Sequence, residues 1–585
     1  MRFTSAMTAI ALTLGSSAVA AADVAHGKVL FQQRCTLCHS AESGDGGGEQ
    51  GPGLADVVGR QAASVRDFPY SSALRQSRLT WDVASLDTFL TAPGKLVPGT
   101  NMFVTIPQPQ DRQDVVAYLQ SVHGTNAAGP TAPGAPGSTS APALGAPNSA
   151  ASPAPNAAVA PEPIFPDWRT DTPGRQQHLS TASLPAPFAS PSSTNRVKVV
   201  PRPADAHLNV PPGFEVTQYA TGIEGARQVR VAPNGDVFVT SQQSGRLFVL
   251  RSALGASQVG EVQTFAAGLK QPFGIAFYPS GSKPQWLYLA EENRIVRFPY
   301  QNGDLHARGE PQVVVDPLSP ETGGHGAHDL LFSRDGKQFF VAVGSASDAA
   351  VTGLPPKSAA EIAAWESDHG LGAAWGTETG RASVLKFDAR TGRGQGAYAT
   401  GIRNCGTMAL HPASAQLWCV STERNQLGDD LAPDYLTRVR EGAFYGWPWY
   451  YTGTHEDPRH RGERPDLADK VTAPDVLFTP HSAPLSLTFY TATSGPSLFP
   501  RSYRGDVFVA MHGSWNRSRR SGHKVVRVHV KEGVPTGEFE DFLTGFVVDD
   551  NTAWGRPVAV TVARDGALLV SDDAAGAIWR VAPRH

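Results

Sequence analysis

Residues 226–239 read ARQVRVAPNGDVFV, which is two apolar runs joined by a Pro-Asn-Gly-Asp turn. Apolar runs on both sides of such a turn predict two antiparallel strands. The arrangement recurs near the C-terminus, where residues 556–560 read RPVAV and residues 566–572 read GALLVSD. Roughly six such units of a few dozen residues follow one another, and they predict an all-β six-bladed β-propeller. The units begin near residues 222, 268, 324, 401, 481 and 554.

The N-terminal part of the chain has a different character. Residues 1–22 carry Arg2, a short apolar run and a string of small residues, which is the pattern of a cleaved export signal. Residues 35–39 read CTLCH. Two thiols at this spacing can join the two vinyl groups of one porphyrin, while the adjacent histidine ligates the iron. A zinc or redox dithiol is the weaker alternative, because no second cysteine pair follows. One covalent haem c is therefore expected on Cys35, Cys38 and His39.

Met102 is the candidate for the second axial ligand of that haem. It follows a Pro-Gly turn and is the only methionine between the export signal and Met408. A thioether is a soft, neutral ligand that raises the potential of haem iron. A terminal helix is predicted over residues 111–122, and residues 23–123 resemble an all-α class I cytochrome c domain. Covalent attachment of haem outside the cytoplasmic membrane points to the periplasm.

Composition separates the two domains and limits the partners. Residues 124–161 consist almost entirely of Ala, Pro, Gly, Ser, Thr and Asn, with no charged residue, which predicts a semi-extended tether. We expect the linker to run over residues 124–205, with residues 163–203 lying along the surface of the next domain, and the propeller to run over residues 206–585. The formal net charge of −3 gives no electrostatic case for nucleic acid. No later run is long and apolar enough for a transmembrane segment.

Two further cysteines, Cys405 and Cys419, flank a predicted β-hairpin whose turn lies near residues 412–414. A cross-strand disulfide is plausible in an oxidising compartment. Two buried free thiols are the other reading of the same pattern.

Side chains at the start of the first strand of each blade are expected to line the central channel. A purely structural role would favour apolar or small residues there. Cations, imidazoles and an indole recur instead, which favours a shared anionic ligand, since arginine suits carboxylates and an indole offers a stacking face. The candidates are Arg227, Gln228, Gln271, His325, His328, Arg403, Asn404, His481, His512, Trp515, Asn516, Arg517, Lys524 and Arg556.

Clustered carboxylates lie on residues 423–435. Hard oxygen ligands favour Ca²⁺, so Asp429, Asp430 and Asp434 are candidate calcium ligands. A solvated acidic loop explains the same residues equally well.

Several motifs of the propeller, in order, resemble the PQQ-dependent sorbosone and pyranose dehydrogenases, which are relatives of soluble quinoprotein glucose and aldose sugar dehydrogenases. The similarity covers most of residues 206–585, and a fused cytochrome c also occurs in this group. The motifs are GGHGAHDL at residues 323–330, GIRN at 401–404, GDDLAPDY at 428–435, YGWP at 445–448 and HGSWNR at 512–517.

The resemblance implies a periplasmic quinohaemoprotein that oxidises a sugar with PQQ and Ca²⁺ and passes electrons to haem c, then to an external electron acceptor. His325 resembles the general base that takes the proton of a sugar hydroxyl. Arg403 and Asn404 resemble the pair that contacts the cofactor near its reactive carbonyls, and Arg403 is counted with His325 as catalytic. Further expected PQQ contacts are Arg227, His481, Trp515, Asn516, Arg517, Lys524 and Arg556.

Three other readings of a propeller joined to a cytochrome are open. A calcium-dependent hydrolase or lactonase would use Asp and His around one ion and would need few arginines. A copper enzyme would need more axial histidines than this chain offers. A non-catalytic binding propeller could also serve as a scaffold for a cytochrome, because the fold alone does not specify chemistry.

Overall fold

The structure is a computed structural model of the 585-residue chain. The chain divides into two compact units, Met1–Ser149 and Ala150–His585, and each is described separately. The residues that the structure describes are 22–35, 39–41, 51–65, 68, 70–98, 100, 102, 104–122, 164–320, 323–325, 329–351 and 353–584.

The described part of the N-terminal unit is helical. Two of its helices, the first and the last, cross closely, because a Cβ placed on Gly27 would lie only 1.9 Å from the carbonyl oxygen of Asp114. The terminal helix predicted over residues 111–122 is confirmed, and its side chains Val115, Val116 and Leu119 are buried. The helices are α1 (Val24–Arg34), α2 (Ser72–Gln76), α3 (Val83–Thr91), α4 (Pro93–Leu96) and α5 (Pro109–Ser121).

The larger unit is built from β-strands and one longer helix, α6 (Ala359–His369). Its strands are β1 (Gln176–His178), β2 (Lys198–Val199), β3 (Phe214–Ala220), β4 (Ala226–Val231), β5 (Val237–Ser241), β6 (Arg246–Arg251), β7 (Glu261–Ala266), β8 (Ile275–Tyr278), β9 (Trp286–Ala290), β10 (Ile295–Pro299), β11 (Gln312–Val315), β12 (Leu330–Phe332), β13 (Gln338–Val343), β14 (Ser383–Asp388), β15 (Gly394–Thr400), β16 (Cys405–Leu410), β17 (Leu417–Ser421), β18 (Tyr435–Val439), β19 (Tyr450–Tyr451), β20 (His455–Glu456), β21 (Val476–Leu477), β22 (Pro484–Phe489), β23 (Val507–Met511), β24 (Lys524–Lys531), β25 (Val534–Leu543), β26 (Thr552–Ala553), β27 (Pro557–Val562), β28 (Leu568–Asp572) and β29 (Ala577–Pro583).

Within the described residues these strands form six antiparallel blades, so the predicted propeller is confirmed. Blades one to four are β4–β7, β8–β11, β12–β15 and β16–β17–β18–β21, and blade five is β22–β25. Blade six is β27–β29 completed by β3, which pairs with β29 and closes the ring. The inner strands β4, β8, β12, β16, β22 and β27 each contact the next one around the axis.

Residues 164–196, which we call the strap, lie on the propeller, as expected for the part of the linker that follows residue 162. β1, within the strap, pairs with the outer strand β25 of blade five. Just beyond the strap, β2 pairs with β26. Phe165 and Leu179 are buried and belong to the apolar core of the propeller. The strap is therefore part of the folded unit.

A buried carboxylate on the axis joins four blades. Asp329 directly precedes β12, is fully buried and accepts hydrogen bonds from Nη2 of Arg230 (3.2 and 3.3 Å). It also accepts one from the backbone N–H of Met408 on β16 (2.8 Å). Arg230 lies on β4 and donates through Nε to the carbonyl oxygen of Ile275 on β8 (3.3 Å). These contacts fix the inner strands of blades one to four relative to one another.

Hydroxyl side chains join the remaining blades around the axis. Each one bonds a backbone group of the neighbouring inner strand, so the ring is linked by polar contacts as well as by apolar packing. The contacts are Thr407 Oγ1 with the N–H of Leu487 (2.9 Å), Ser486 Oγ with the N–H of Val560 (3.2 Å) and Ser571 Oγ with the carbonyl oxygen of Arg227 (2.6 Å).

Cys405 and Cys419 form a disulfide between β16 and β17, with Cα atoms 5.9 Å apart. The predicted hairpin is confirmed, because these two strands pair antiparallel on either side of residues 411–416. The sequence left open a disulfide or two buried free thiols, and the structure contains the disulfide.

We expect Asp329→Ala to lower the free energy of unfolding of the propeller by about 3 kcal/mol, because it leaves Arg230 without its buried partner. We use the lower end of the range for breaking a buried ion pair, because the side chain of Arg230 is 20% exposed to solvent. Guanidinium unfolding followed by tryptophan fluorescence measures the change. Asp469→Asn, at an exposed position, serves as the control. An unchanged midpoint for Asp329→Ala would contradict the role of this cluster.

Candidate functional site

Three side chains picked out by their blade positions converge on Asp573, which follows β28. Its carboxylate accepts hydrogen bonds from Nη1 of Arg227, Nε of Arg556 and Nε2 of His512, each at 3.0 Å. All four side chains are largely buried, with exposed fractions of 7% to 17%. Although burial opposes ionisation, His512, Arg556 and Arg227 hold the pKa of Asp573 well below its usual range. The cluster therefore contains an ionised carboxylate surrounded by donors.

Arg403, just before β16, is oriented by Asp348 on the loop after β13. Nη2 of Arg403 donates to Oδ1 of Asp348 and Nε donates to its backbone oxygen, both at 2.9 Å. Oδ1 of Asp348 also accepts the backbone N–H of Asn425 (2.9 Å). Two contacts from one residue fix the plane of a guanidinium more firmly than a single contact can.

His325 and Asn404 meet around Gly344, at the end of β13. A Cβ placed on Gly344 would lie 2.5 Å from Cβ of His325 and 2.7 Å from Oδ1 of Asn404. Nδ1 of His325 lies 2.9 Å from the carbonyl oxygen of Ser345. Because a carbonyl oxygen can only accept, Nδ1 carries the hydrogen, and the lone pair of the neutral ring is on Nε2. The predicted base therefore lies beside the predicted Arg403–Asn404 pair.

His481 lies next to residues 427–430, which we call the acidic loop. Its Nε2 donates to the carbonyl oxygen of Gly428 (3.2 Å). Burial lowers the pKa of His481 to about 4, and the charge of Arg517 acts in the same direction. The imidazole is therefore neutral at pH 7.

The three candidate calcium ligands have separate protein partners. Burial raises the pKa of Asp434 to about 7. In the part of the chain that the structure describes, no group of three or more His, Cys, Asp or Glu side chains is arranged to hold a metal ion. Calcium binding stays a prediction. The partners are the N–H of Ser518 for Asp429 (2.9 Å), Arg517 for Asp430 (2.7 Å), and the N–H groups of Glu423 and Ala483 for Asp434 (2.8 Å each).

Two predicted cofactor contacts, Arg517 and Lys524, bind the strap. Both side chains are buried, and strap groups together with carboxylates of the propeller supply their acceptors. The contacts are Arg517 with the carbonyl oxygens of Phe165 and Pro166 (3.0 Å each), and Lys524 with Asp171 (2.6 Å) and Asp541 (2.7 Å).

The remaining candidates of the channel have varied surroundings. The guanidinium of Arg196 lies 5.5 Å from the ring centre of Trp515. Asn516 is buried, and its amide nitrogen has no acceptor among the described residues. Gln228 is buried and Gln271 is exposed. His328 lies outside the described residues.

In the N-terminal unit, Nδ1 of His39 donates to the carbonyl oxygen of Pro52 (2.8 Å). This contact fixes the tautomer, so that Nε2 is the nitrogen suited to ligate a metal. Arg60 holds the same loop by donating to the carbonyl oxygens of Gly53 (2.6 Å) and Ala55 (2.9 Å).

Two of the other predicted haem contacts lie in or near the core of this unit. Cys35 is buried, and Met102 is partly buried against the same apolar cluster. Cys38 lies outside the described residues.

Residues 208–434 and 458–584 match the family model described as TrAA12-like. The chain belongs to the TrAA12-like family. Residues 24–123 match the cytochrome c family model, and 120 residues are 45% identical to cytochrome c2 of Rhodomicrobium vannielii, over 20% of this chain and 94% of that protein. The TrAA12-like chain therefore carries a cytochrome c domain ahead of its propeller.

Two solved structures share the propeller fold of this TrAA12-like chain. One is the holo form of the PQQ domain of pyranose dehydrogenase from Coprinopsis cinerea, at 19% identity and a TM-score of 0.51, covering 65% of this chain and 98% of that one. The other is an iodide structure of a Trichoderma reesei carbohydrate-active enzyme of family AA12. Its identity is 19% and its TM-score 0.52, covering 67% of this chain and 100% of that one. At this identity the likeness establishes the fold.

None of the helices in the described ranges combines the length and the hydropathy needed to cross a bilayer.

Sequence reasoning missed Asp573, Asp348 and His523. Asp573 and Asp348 each follow the second strand of a blade, and no motif marks them as partners of the arginines. His523 is buried, and the ring lies so close to Gly513 that a Cβ there would be 2.1 Å from it. Burial and the nearby Arg520 lower the pKa of His523 well below its usual range. The only feature of the sequence that could have drawn attention to His523 is its position directly before β24.

Gly344→Ala should disturb His325 and Asn404 together, because both lie within 2.7 Å of the added Cβ. We expect a loss of about 1–3 kcal/mol in the free energy of unfolding, with faster hydrogen exchange at residues 323–325. Gly394→Ala is the matched control, since its Cβ would meet its nearest neighbour at 3.7 Å. Equal behaviour of the two variants would contradict the close approach at Gly344.

Proposed function

We propose that this protein is a quinohaemoprotein dehydrogenase that oxidises a sugar with PQQ and passes the electrons to haem c. The observation that carries the proposal is the meeting of His325 with the Arg403–Asn404 pair around Gly344. The cytochrome c domain on the same chain supports it, because it supplies an electron acceptor within the molecule. The similarity to a pyranose dehydrogenase PQQ domain supports the choice of sugar and quinone.

The residues of the channel fit a quinone with several carboxylate groups. The Nε of Arg227 and the amide nitrogen of Asn516 are buried donors that find no acceptor within the described ranges. Arg227 donates to Asp573 through Nη1, so its Nε retains capacity for an anion. When bound, PQQ would accept one hydride, which carries both electrons, from the substrate carbon.

His325 would act as the general base. The carbonyl of Ser345 holds the ring in the tautomer whose lone pair is on Nε2, which is the form able to take a proton from a hydroxyl group. Ser345 also bonds Arg403 through the backbone, its N–H donating to the carbonyl oxygen of Arg403 (2.8 Å). Residues 345–348 therefore orient both side chains, because Ser345 bonds the ring of His325 and Asp348 bonds the guanidinium of Arg403.

Arg403 and Asn404 would bind and orient the quinone. Asp348 fixes the guanidinium of Arg403, and Oγ1 of Thr422 accepts from the side chain of Asn404 (3.0 Å). Donors that are already oriented stabilise developing negative charge without reorganisation during the reaction. Arg227, Arg556, Trp515 and Asn516 are proposed as further contacts, and His481 borders the same region as a neutral ring.

In the cytochrome c domain, proposed as residues 23–123, Cys35 and Cys38 would bind the haem covalently and His39 and Met102 would ligate its iron. The Pro52 contact of His39 suits this role, because a ligating imidazole keeps its other nitrogen hydrogen-bonded. Reoxidation by an external acceptor and a periplasmic location complete the proposal. Ca²⁺ stays a prediction. Oδ1 of Asp429 is buried with no donor among the described residues, whereas Asp430 binds Arg517 and Asp434 accepts from backbone N–H groups.

His325→Asn should lower sugar-dependent reduction of the haem by about 10²–10⁴-fold in kcat, because it removes the proton acceptor. The measurement is haem absorbance after loading with PQQ and Ca²⁺, over a panel of aldoses. His306→Asn, an exposed histidine of the same propeller, is the control.

The wild-type protein decides between this proposal and its rivals. Failure to bind PQQ, together with no haem reduction by any sugar, would overturn it. Release of acid from a lactone without haem reduction would point to a hydrolase.

Met102→His should lower the reduction potential of the haem, because it exchanges a thioether for a stronger donor. Potentiometric titration of the purified protein measures the shift. Met408→Leu, a volume-conserving change in the propeller core, should leave the potential unchanged. A potential unaltered by Met102→His would remove Met102 from the ligand set.

A further inference from the structure

The strap bonds the acidic loop along its length, through three backbone groups of the loop and one side chain. Its N–H groups and hydroxyls pair with four successive residues of that loop, which is a pattern of continuous docking rather than a single point of attachment. The contacts are Phe188 N–H with Leu427 O (2.7 Å), Gly428 N–H with Ser192 Oγ (3.1 Å), Asp429 N–H with Ser190 Oγ (2.9 Å) and Ile164 N–H with Asp430 Oδ2 (3.1 Å).

The strap also binds residues 515–520, which we call the arginine loop. Both polar atoms of the Asn195 side chain form hydrogen bonds in this region. Its amide nitrogen donates to the carbonyl oxygens of Ser518 and Asp550 (2.9 Å each), and its oxygen accepts from Nη2 of Arg520 (2.9 Å). Its backbone N–H donates to the carbonyl oxygen of Trp515 (2.6 Å). A side chain with all of these bonds made cannot be replaced without loss.

The two loops bind each other and the channel. Arg517 pairs with Asp430 (2.7 Å), and the N–H of Ser518 donates to Asp429 (2.9 Å). The acidic loop accepts the hydrogen bond of His481 through Gly428. The guanidinium of Arg517 is fully buried, and two of its three acceptors are strap carbonyls. Removal of the strap would leave that charge under-bonded, which is costly for a buried group.

We propose that the strap is a positioning element of the catalytic domain, which holds the acidic loop and the arginine loop in place beside the channel. The part that concerns the cofactor rests on the proposed function, because Trp515 and Asn516 are proposed PQQ contacts. The part that concerns the ordering of the two loops by the strap is independent of the proposed function. The backbone groups of an inert linker would form hydrogen bonds with water, whereas backbone groups of the strap form hydrogen bonds with two loops of the propeller.

Asn195→Ala in the full-length protein tests the proposal. We expect amide hydrogen exchange at residues 515–520 to rise by roughly tenfold, since local opening becomes easier once these bonds are lost. Exchange at β12 should stay unchanged. The Kd for PQQ, measured by titration, should rise several-fold. Thr181→Ala, an exposed strap position, is the matched control and should change neither quantity.

Arg196→Gln is a milder second variant, which removes the contact with Trp515 and keeps the fold testable if Asn195→Ala fails to fold. Unchanged exchange in a folded variant would overturn the proposal. Faster exchange with an unchanged Kd would overturn the positioning role and leave only a structural one. If the wild-type protein binds no PQQ at all, the proposed function fails, and hydrogen exchange still decides whether the strap orders the loops.

Discussion

The buried contact between Asp329 and Arg230 is the constraint on which the channel depends. It joins inner strands of four blades through one carboxylate and one guanidinium, and two residues proposed for chemistry stand three or four positions before these two in the sequence. Arg227 precedes Arg230, and His325 precedes Asp329. A shift in the register of an inner strand would therefore move a functional side chain. Stability and site geometry share one set of bonds.

The site itself is organised by carboxylates that orient cations. Asp573 gathers Arg227, Arg556 and His512, and Asp348 orients Arg403. Such pairs cost desolvation, and the protein offsets that cost with several charge-assisted bonds to each carboxylate. The arrangement holds these cationic side chains in fixed orientations.

The propeller and the cytochrome c domain could be predicted because their signals are local: strand–turn–strand units and the CTLCH spacing. The meeting of Arg227 and Arg556 follows from their places at the start of the first strand of their blades. Asp573 and Asp348 could not be found, because no motif or spacing links them to the arginines. The strap contacts of Arg517 and Lys524 could not be found for the same reason, and their role as cofactor contacts stays a prediction.

The ring of blades is closed by β3 and β29, which come from opposite ends of the propeller unit. The chain between β3 and β29 forms one very long loop. Its closure is expected late in folding, because the conformational entropy lost on closure comes before the stabilisation from strand pairing. During synthesis, the helical N-terminal unit and the first five blades are therefore complete before blade six can form. A chain that stops before β29 leaves β28 and β3 without their shared partner, so the backbone groups of two strands stay exposed until that one strand has been made.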